Sequence, residues 1–177
     1  MSYPYFAATL PSLSFDGAPS LTEAEFRDRC RQHLKAADFA ALTALYDGGV
    51  TNQAFVLKWR DCDTEIRNAV VHLRATKLGT SADASKWLRE CKSLQPSTQN
   101  AVTAAFQEPN HLRRERALEQ LRWNLAGDLA GFDTFSAAAI FAYAIRLGIV
   151  SRRAAENTEK GSDRLRNMMK AQAPSAE

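Results

Sequence analysis

Residues 115–148 read ERALEQLRWNLAGDLAGFDTFSAAAIFAYAIRLG, and this stretch decides the fold class. Leu118, Leu121, Leu125 and Leu129 recur at steps of three and four residues, which lines them up along one side of a helix. Asn110 stands where an N-cap would open that helix. Gly127 and Gly131 are spaced as G-x-x-x-G, which in a water-exposed helix marks close packing or an approaching C-terminus. Thr134 or Ser136 can cap a second helix, which presents Ile140, Tyr143, Ala144 and Leu147 on one side. Its many alanines make it narrow, so neighbouring helices can approach closely. The stretch is a helical pair joined by a short, aromatic-flanked turn, and it holds no convergent set of reactive groups.

Working outward, the same helical grammar recurs. Tyr3 to Leu10 fits a short helix, with Pro4 tolerated in the first turn and Pro11 stopping it, although a strand there stays open. Residues 12–20, with Asp16-Gly17 and Pro19, read as a loop. Thr22 and Glu25 form a T-x-x-E capping box flanked by Leu21 and Phe26, opening a helix to about Leu34. A second helix, capped by Asp38, carries Phe39, Leu42 and Leu45 inward and ends at Asp47-Gly48-Gly49.

Asn52 to Leu78 is expected to be the longest helix. Phe55, Trp59, Cys62, Ile66, Ala69 or Val70, and Leu73 form its apolar stripe, and Gly79 ends it. Asp83 is expected to cap a short helix around Trp87, Leu88 and Cys91, and Ser97 another through Val102 and Phe106 that stops at Glu108-Pro109. Gly148 is expected to interrupt the helix after Ser136, with Ser151 capping a final one. The expected fold is all-α: a compact domain of about seven to eight helices over residues 1–170, with a frayed tail over 171–177.

Composition agrees with a globular chain. Of 177 residues, 45% are hydrophobic and 24% charged, enough for a buried core. The net charge of +3 is too small to imply a nucleic-acid partner by itself. Residues 1–80 balance acid against base, so the excess lies in the second half. Arg152, Arg153, Lys160, Arg164, Arg166 and Lys170 give the last helix a mild basic bias against Glu156, Glu159 and Asp163.

Cys30, Cys62 and Cys91 are odd in number and far apart, which suggests neither a disulfide framework nor a zinc knuckle. No signal-peptide pattern opens the chain, and the most apolar run, Ala137 to Ile145, is far below the roughly 20 residues that span a bilayer. A cytoplasmic location follows as the expectation.

The search for chemistry finds little. No G-x-x-x-x-G-K-[ST] or G-x-G-x-x-G loop is present. His33, His72 and His111 lack a metal-ligand partner at helical spacing. Cys62 lies on the apolar stripe, where a thiol is normally inert, and Asp61 and Asp63 beside it face different ways. Glu115 and Glu119 read as a surface ion-pair lattice with Arg113, Arg114, Arg116 and Arg122. A non-enzymatic role without cofactor or metal is the expectation. A helix-turn-helix regulator could be drawn over Thr134 to Met168, although three acids interrupt its basic helix.

One resemblance carries further. Residues 5–17 (YFAATLPSLSFDG), Trp59-Arg60-Asp61, Glu65-Ile66-Arg67-Asn68, Leu73-Arg74-Ala75, Leu78-Gly79 and Glu115 to Leu129 are its main pieces. Phe132, Ala142-Tyr143-Ala144, Leu147, Ile149 and Glu159-Lys160-Gly161 complete it. In order and spacing they resemble an uncharacterised bacterial family usually encoded beside V-type ATPase genes. That family is in turn distantly similar to the part of the V-type ATPase called C in bacteria and d in eukaryotes. Such a part is a funnel of helices that couples the central stalk to the membrane rotor ring. This chain is much shorter than that funnel.

The resemblance implies a non-catalytic subunit or assembly factor of a bacterial V-type ATPase, with stalk or membrane-ring subunits as partners. It implies no membrane span of the chain's own and contact with the inner membrane only through those partners. On that reading Arg146, Arg152 and Arg153 meet acidic groups of a partner, while Arg67 and Arg74 make interhelical contacts. The alternatives are a free-standing cytoplasmic helical adaptor and the helix-turn-helix regulator.

Overall fold

A computed structural model describes residues 2–91 and 95–155, with the side chains of all of these except 81–83. Among them seven α-helices follow one another: α1 (Pro4–Thr9), α2 (Glu23–His33), α3 (Ala36–Asp47), α4 (Ala54–Lys77), α5 (Pro96–Gln107), α6 (His111–Ala130) and α7 (Ala137–Ala155). A 3-10 turn, Ser81–Trp87, lies between α4 and α5. Among the described residues there is no strand, and the expected all-α class holds. The basic residues from Lys160 to Lys170, the acids from Glu156 to Asp163 and the expected frayed tail lie outside the described residues.

Helix starts follow local chemistry where a short polar side chain leads. Thr22 Oγ1 accepts the Glu25 N–H at 3.2 Å, and Glu25 Oε2 accepts the Thr22 N–H at 2.9 Å, so the capping box is complete. Asn110 Oδ1 accepts the N–H groups of Leu112 and Arg113. Of the two residues expected before α7, it is Ser136 that caps, with Oγ accepting from Ala139 N–H. Gly48 and Gly79 follow α3 and α4 with positive φ, as their positions required.

Four expectations fail. Asp38 does not cap α3, which starts three residues earlier behind Lys35. The Tyr3 hydroxyl, brought from the N-terminus, accepts the Lys35 N–H and donates to Asp38. Asp83 sits inside the 3-10 turn rather than at the cap of an α-helix, and Leu88 is already extended. Ser97 does not cap α5; Pro96 occupies its first turn behind Gln95, whose N–H is taken by Glu65. Gly148 does not interrupt α7, and Ser151 lies within it. A mid-helix glycine costs only about 1 kcal/mol. Burial of Leu147, Ile149 and Val150 outweighs that. The helix-turn-helix reading thereby loses its break at Gly148.

Two apolar clusters organise the packing. The larger joins α1, α2, α3, the start of α4 and α7, with Phe26, Leu42, Val56, Ile140, Phe141 and Leu147 at its centre. The smaller joins the second half of α4 to α5 and the first half of α6 through Ile66, Val102, Phe106 and Leu118. Helices α4 and α6 contribute to both. Helices α6 and α7 are the most extensively packed pair. They run antiparallel, as contacts between Glu119 and Arg152 and between Trp123 and Arg146 require. Among the described residues no helix is long and apolar enough to cross a membrane.

Candidate functional site

The five arginines singled out from the sequence are all engaged inside the chain. Arg67 donates to the Trp87 carbonyl at 3.1 Å, tying α4 to the 3-10 turn. Arg74 approaches Glu115 of α6 at 3.6 Å, with both side chains mostly exposed. Arg146 donates through Nε to the Trp123 carbonyl at 3.1 Å, and its guanidinium lies 4.9 Å from the Trp123 ring centre. A Cβ on Gly127 would land on Arg146 Nη2, so this glycine makes room for the guanidinium. Burial pulls the Arg146 guanidinium below its ordinary range, opposed by Asp128. The second glycine of the pair, Gly131, has φ of 71° and closes α6. Close approach and helix ending, the two meanings of the G-x-x-x-G spacing, are divided between its members.

Arg152 pairs with Glu119 at 2.7 Å. Arg153 reaches Glu119 at 3.7 Å and Asp16 at 3.5 Å, donates to the Phe15 carbonyl, and lies over the Phe15 ring at 4.5 Å. Glu119 is therefore not part of a surface lattice with its neighbours on α6. Its side chain is 11% exposed and answers two arginines of α7.

The loop over residues 12–20 is equally tied down. Arg116 pairs with Asp16, Phe15 packs edge-on to Trp123, and the Tyr143 hydroxyl donates to the Pro11 carbonyl at 2.9 Å. It forms a strap across α6 and α7. The sequence signals only a turn there, from Asp16-Gly17; what holds it comes from about a hundred residues away or more.

On another side of α6 and α7, facing α3 and α4, lies an open cleft of about 800 Å³. Tyr46 and Trp59 line it, with Asp63 and Arg122 paired across it at 2.7 Å and Glu119 and Arg152 beside them. The Tyr46 hydroxyl is buried without a hydrogen-bond partner, and burial raises its pKa, with Glu23 adding to the effect. Glu23 also lines the cleft and makes no ion pair among the described residues.

Burial pushes the Cys30 thiol up to about 12 and also raises that of Cys62. No group of three or more metal-binding side chains converges among the described residues. His33 instead stacks on Phe6 with ring centres 5.0 Å apart.

A family described as proteins of unknown function (DUF2764) matches residues 97–173. The matched residues include nearly all of α5 and the whole of α6 and α7. No curated protein and no solved structure matches the chain.

Proposed function

We propose that this chain is a non-catalytic docking protein, a subunit or assembly factor of a bacterial V-type ATPase. One observation carries the docking part: three large aromatic side chains stand exposed where the N-terminus meets the α6–α7 turn. Tyr5 is 90% exposed, Phe132 fully and Phe135 43%. The segments that bear them are joined by backbone pairing, with Tyr3 N–H on the Phe135 carbonyl at 2.6 Å and a bridge between Ser2 and Ser136. Exposed aromatic groups are enriched at protein interfaces and dominate their energetics.

The ATPase part rests on the resemblance, whose two densest pieces, residues 5–17 and 115–129, meet in the strap and α6. Such an arrangement suits mechanical coupling, because a strapped helical pair passes force without rearranging. Docking through the aromatic end also changes the part played by the arginines. Arg146 and Arg153 hold the body together, and of the three on α7 only Arg152 remains mostly exposed, with its side chain 60% accessible.

Affinity purification from the native host tests the reading. Recovery of V-type ATPase stalk or membrane-ring subunits with the wild-type chain is expected. Phe132→Ser combined with Phe135→Ser should abolish that recovery without lowering the melting temperature. Repeated absence of ATPase subunits from the wild-type sample would sink the ATPase assignment. Unchanged recovery with the double variant would sink the aromatic end.

A further inference from the structure

The cleft between α3, α4, α6 and α7 contains an anomaly that packing does not explain. Gly148 lies in the middle of an unbroken helix of 19 residues, where glycine weakens the helix relative to any ordinary residue. Helical glycines usually make room for a neighbour, as Gly127 does for Arg146. At Gly148 an added Cβ would meet nothing nearer than Glu23 Oε1 at 4.0 Å. The missing side chain leaves open space in the wall of the cleft.

The charges around that space favour one kind of occupant. Glu23, Asp63, Glu115 and Glu119 line the cleft with Arg122 and Arg152, while Arg74 and Arg153 also reach Glu115 and Glu119. Asp63 is matched by Arg122 and Glu119 by Arg152, each at 2.7 Å. Glu115 has only a long, exposed pair with Arg74, and Glu23 has no ion pair among the described residues. Trp59 adds aromatic surface, which attracts cations, while the Tyr46 ring already has Arg27 over it at 5.0 Å.

We infer that this cleft receives a basic side chain, arginine or lysine, of a protein partner. The stem of that side chain would lie over Gly148 and its charged end between Glu23 and Glu115. Long basic side chains suit such a place because their methylenes cover apolar surface while the head stays among polar groups. The proposal needs a partner with an exposed basic residue and does not depend on that partner being an ATPase.

A tri-arginine peptide added to the purified full chain tests it, with tri-glutamate as control. Tri-arginine should shift the Trp59 indole signal in nuclear magnetic resonance spectra, saturably and less at high salt, while tri-glutamate does not. Gly148→Leu fills the space and improves helix propensity, so it should abolish binding while the melting temperature holds or rises. Glu23→Gln should weaken binding by about fivefold, the equivalent of one screened charge pair. An unmoved Trp59 signal, equal binding of tri-glutamate, or full binding by Gly148→Leu would each overturn the inference. Whether ATPase subunits co-purify has no bearing on these outcomes.

Discussion

The two apolar clusters are built on different plans, although α4 and α6 run through both. In the larger cluster aromatic and aliphatic groups fill the interior, Phe26 and Phe141 among them, and the polar contacts lie at its margins. The smaller cluster is bordered by a buried acid: Glu65 is 1% exposed, with one oxygen on the Gln95 N–H and the other unpartnered. Its edge toward the 3-10 turn is held by polar substitutes for packing. Asn68 exchanges two hydrogen bonds with the Arg89 backbone, at 2.8 and 3.1 Å, as a strand neighbour would. One region is stabilised chiefly by area removed from water. The other adds a few directional bonds at its edge, and of these the bond to the buried Glu65 is the one whose loss leaves a polar group in a dry setting.

Matched truncations should separate the two plans. Phe26→Ala removes a fully buried ring that also packs against Tyr143, and should cost about 3–5 kcal/mol. Val102→Ala in the smaller cluster removes less volume and should cost about 2 kcal/mol. The sharper distinction lies in how the loss spreads. Hydrogen exchange of Phe26→Ala should accelerate through α2, α3 and α7 together. In Val102→Ala it should accelerate in α5 and the second half of α4, leaving α7 protected. Equal acceleration everywhere in both variants would mean a single cooperative core.

The same division marks what can be read from the residues. The capping box at Thr22, the Asn110 cap, the α4 stripe and the glycine endings are local signals, and the structure carries them through. The region between Gly79 and Pro96 escapes such a reading because its stabilising contacts are distant. Asn68 and Glu65 lie on α4, about twenty to thirty residues before the backbone groups they satisfy. The candidate site behaves likewise. The arginines of α7 are visible as charges, but their partners are not, since Phe15 and Asp16 look like a plain turn and Glu119 like a surface acid. Gly148 reads as a stop because propensity is the only local information there, and the buried residues beside it decide otherwise.

Glu115 and Glu119 give the comparison its finest test. They stand one turn apart on α6 with the same chemistry, yet Glu119 is enclosed by the larger region and Glu115 open at the edge of the smaller. Arg153→Ala removes a bond to the Phe15 carbonyl, a ring contact and a charge facing Glu119. About 2 kcal/mol should be lost, since hydrogen bonds from charged groups and ring contacts each contribute on that scale. The melting temperature should fall by about 6 °C for a chain of this size. Trp123 emission should change as Phe15 leaves it. The double reversal of Arg152 and Arg153 to glutamate should do more damage. It sets two new carboxylates against Glu119.

Arg74→Ala should do almost nothing. Its partner Glu115 is 3.6 Å away and both side chains are roughly 60% exposed, so solvent and salt screen the attraction. The expected change is within about 0.5 kcal/mol, and added salt should erase what remains. If Arg74→Ala instead matched Arg153→Ala, exposure would not be what distinguishes the two acids, and the α4–α6 seam would have to be counted with the larger region. If it is silent, Glu115 is free to answer a cation from outside, as the occupant inferred for the cleft requires. A thermal melt of each variant at low and high salt separates those outcomes.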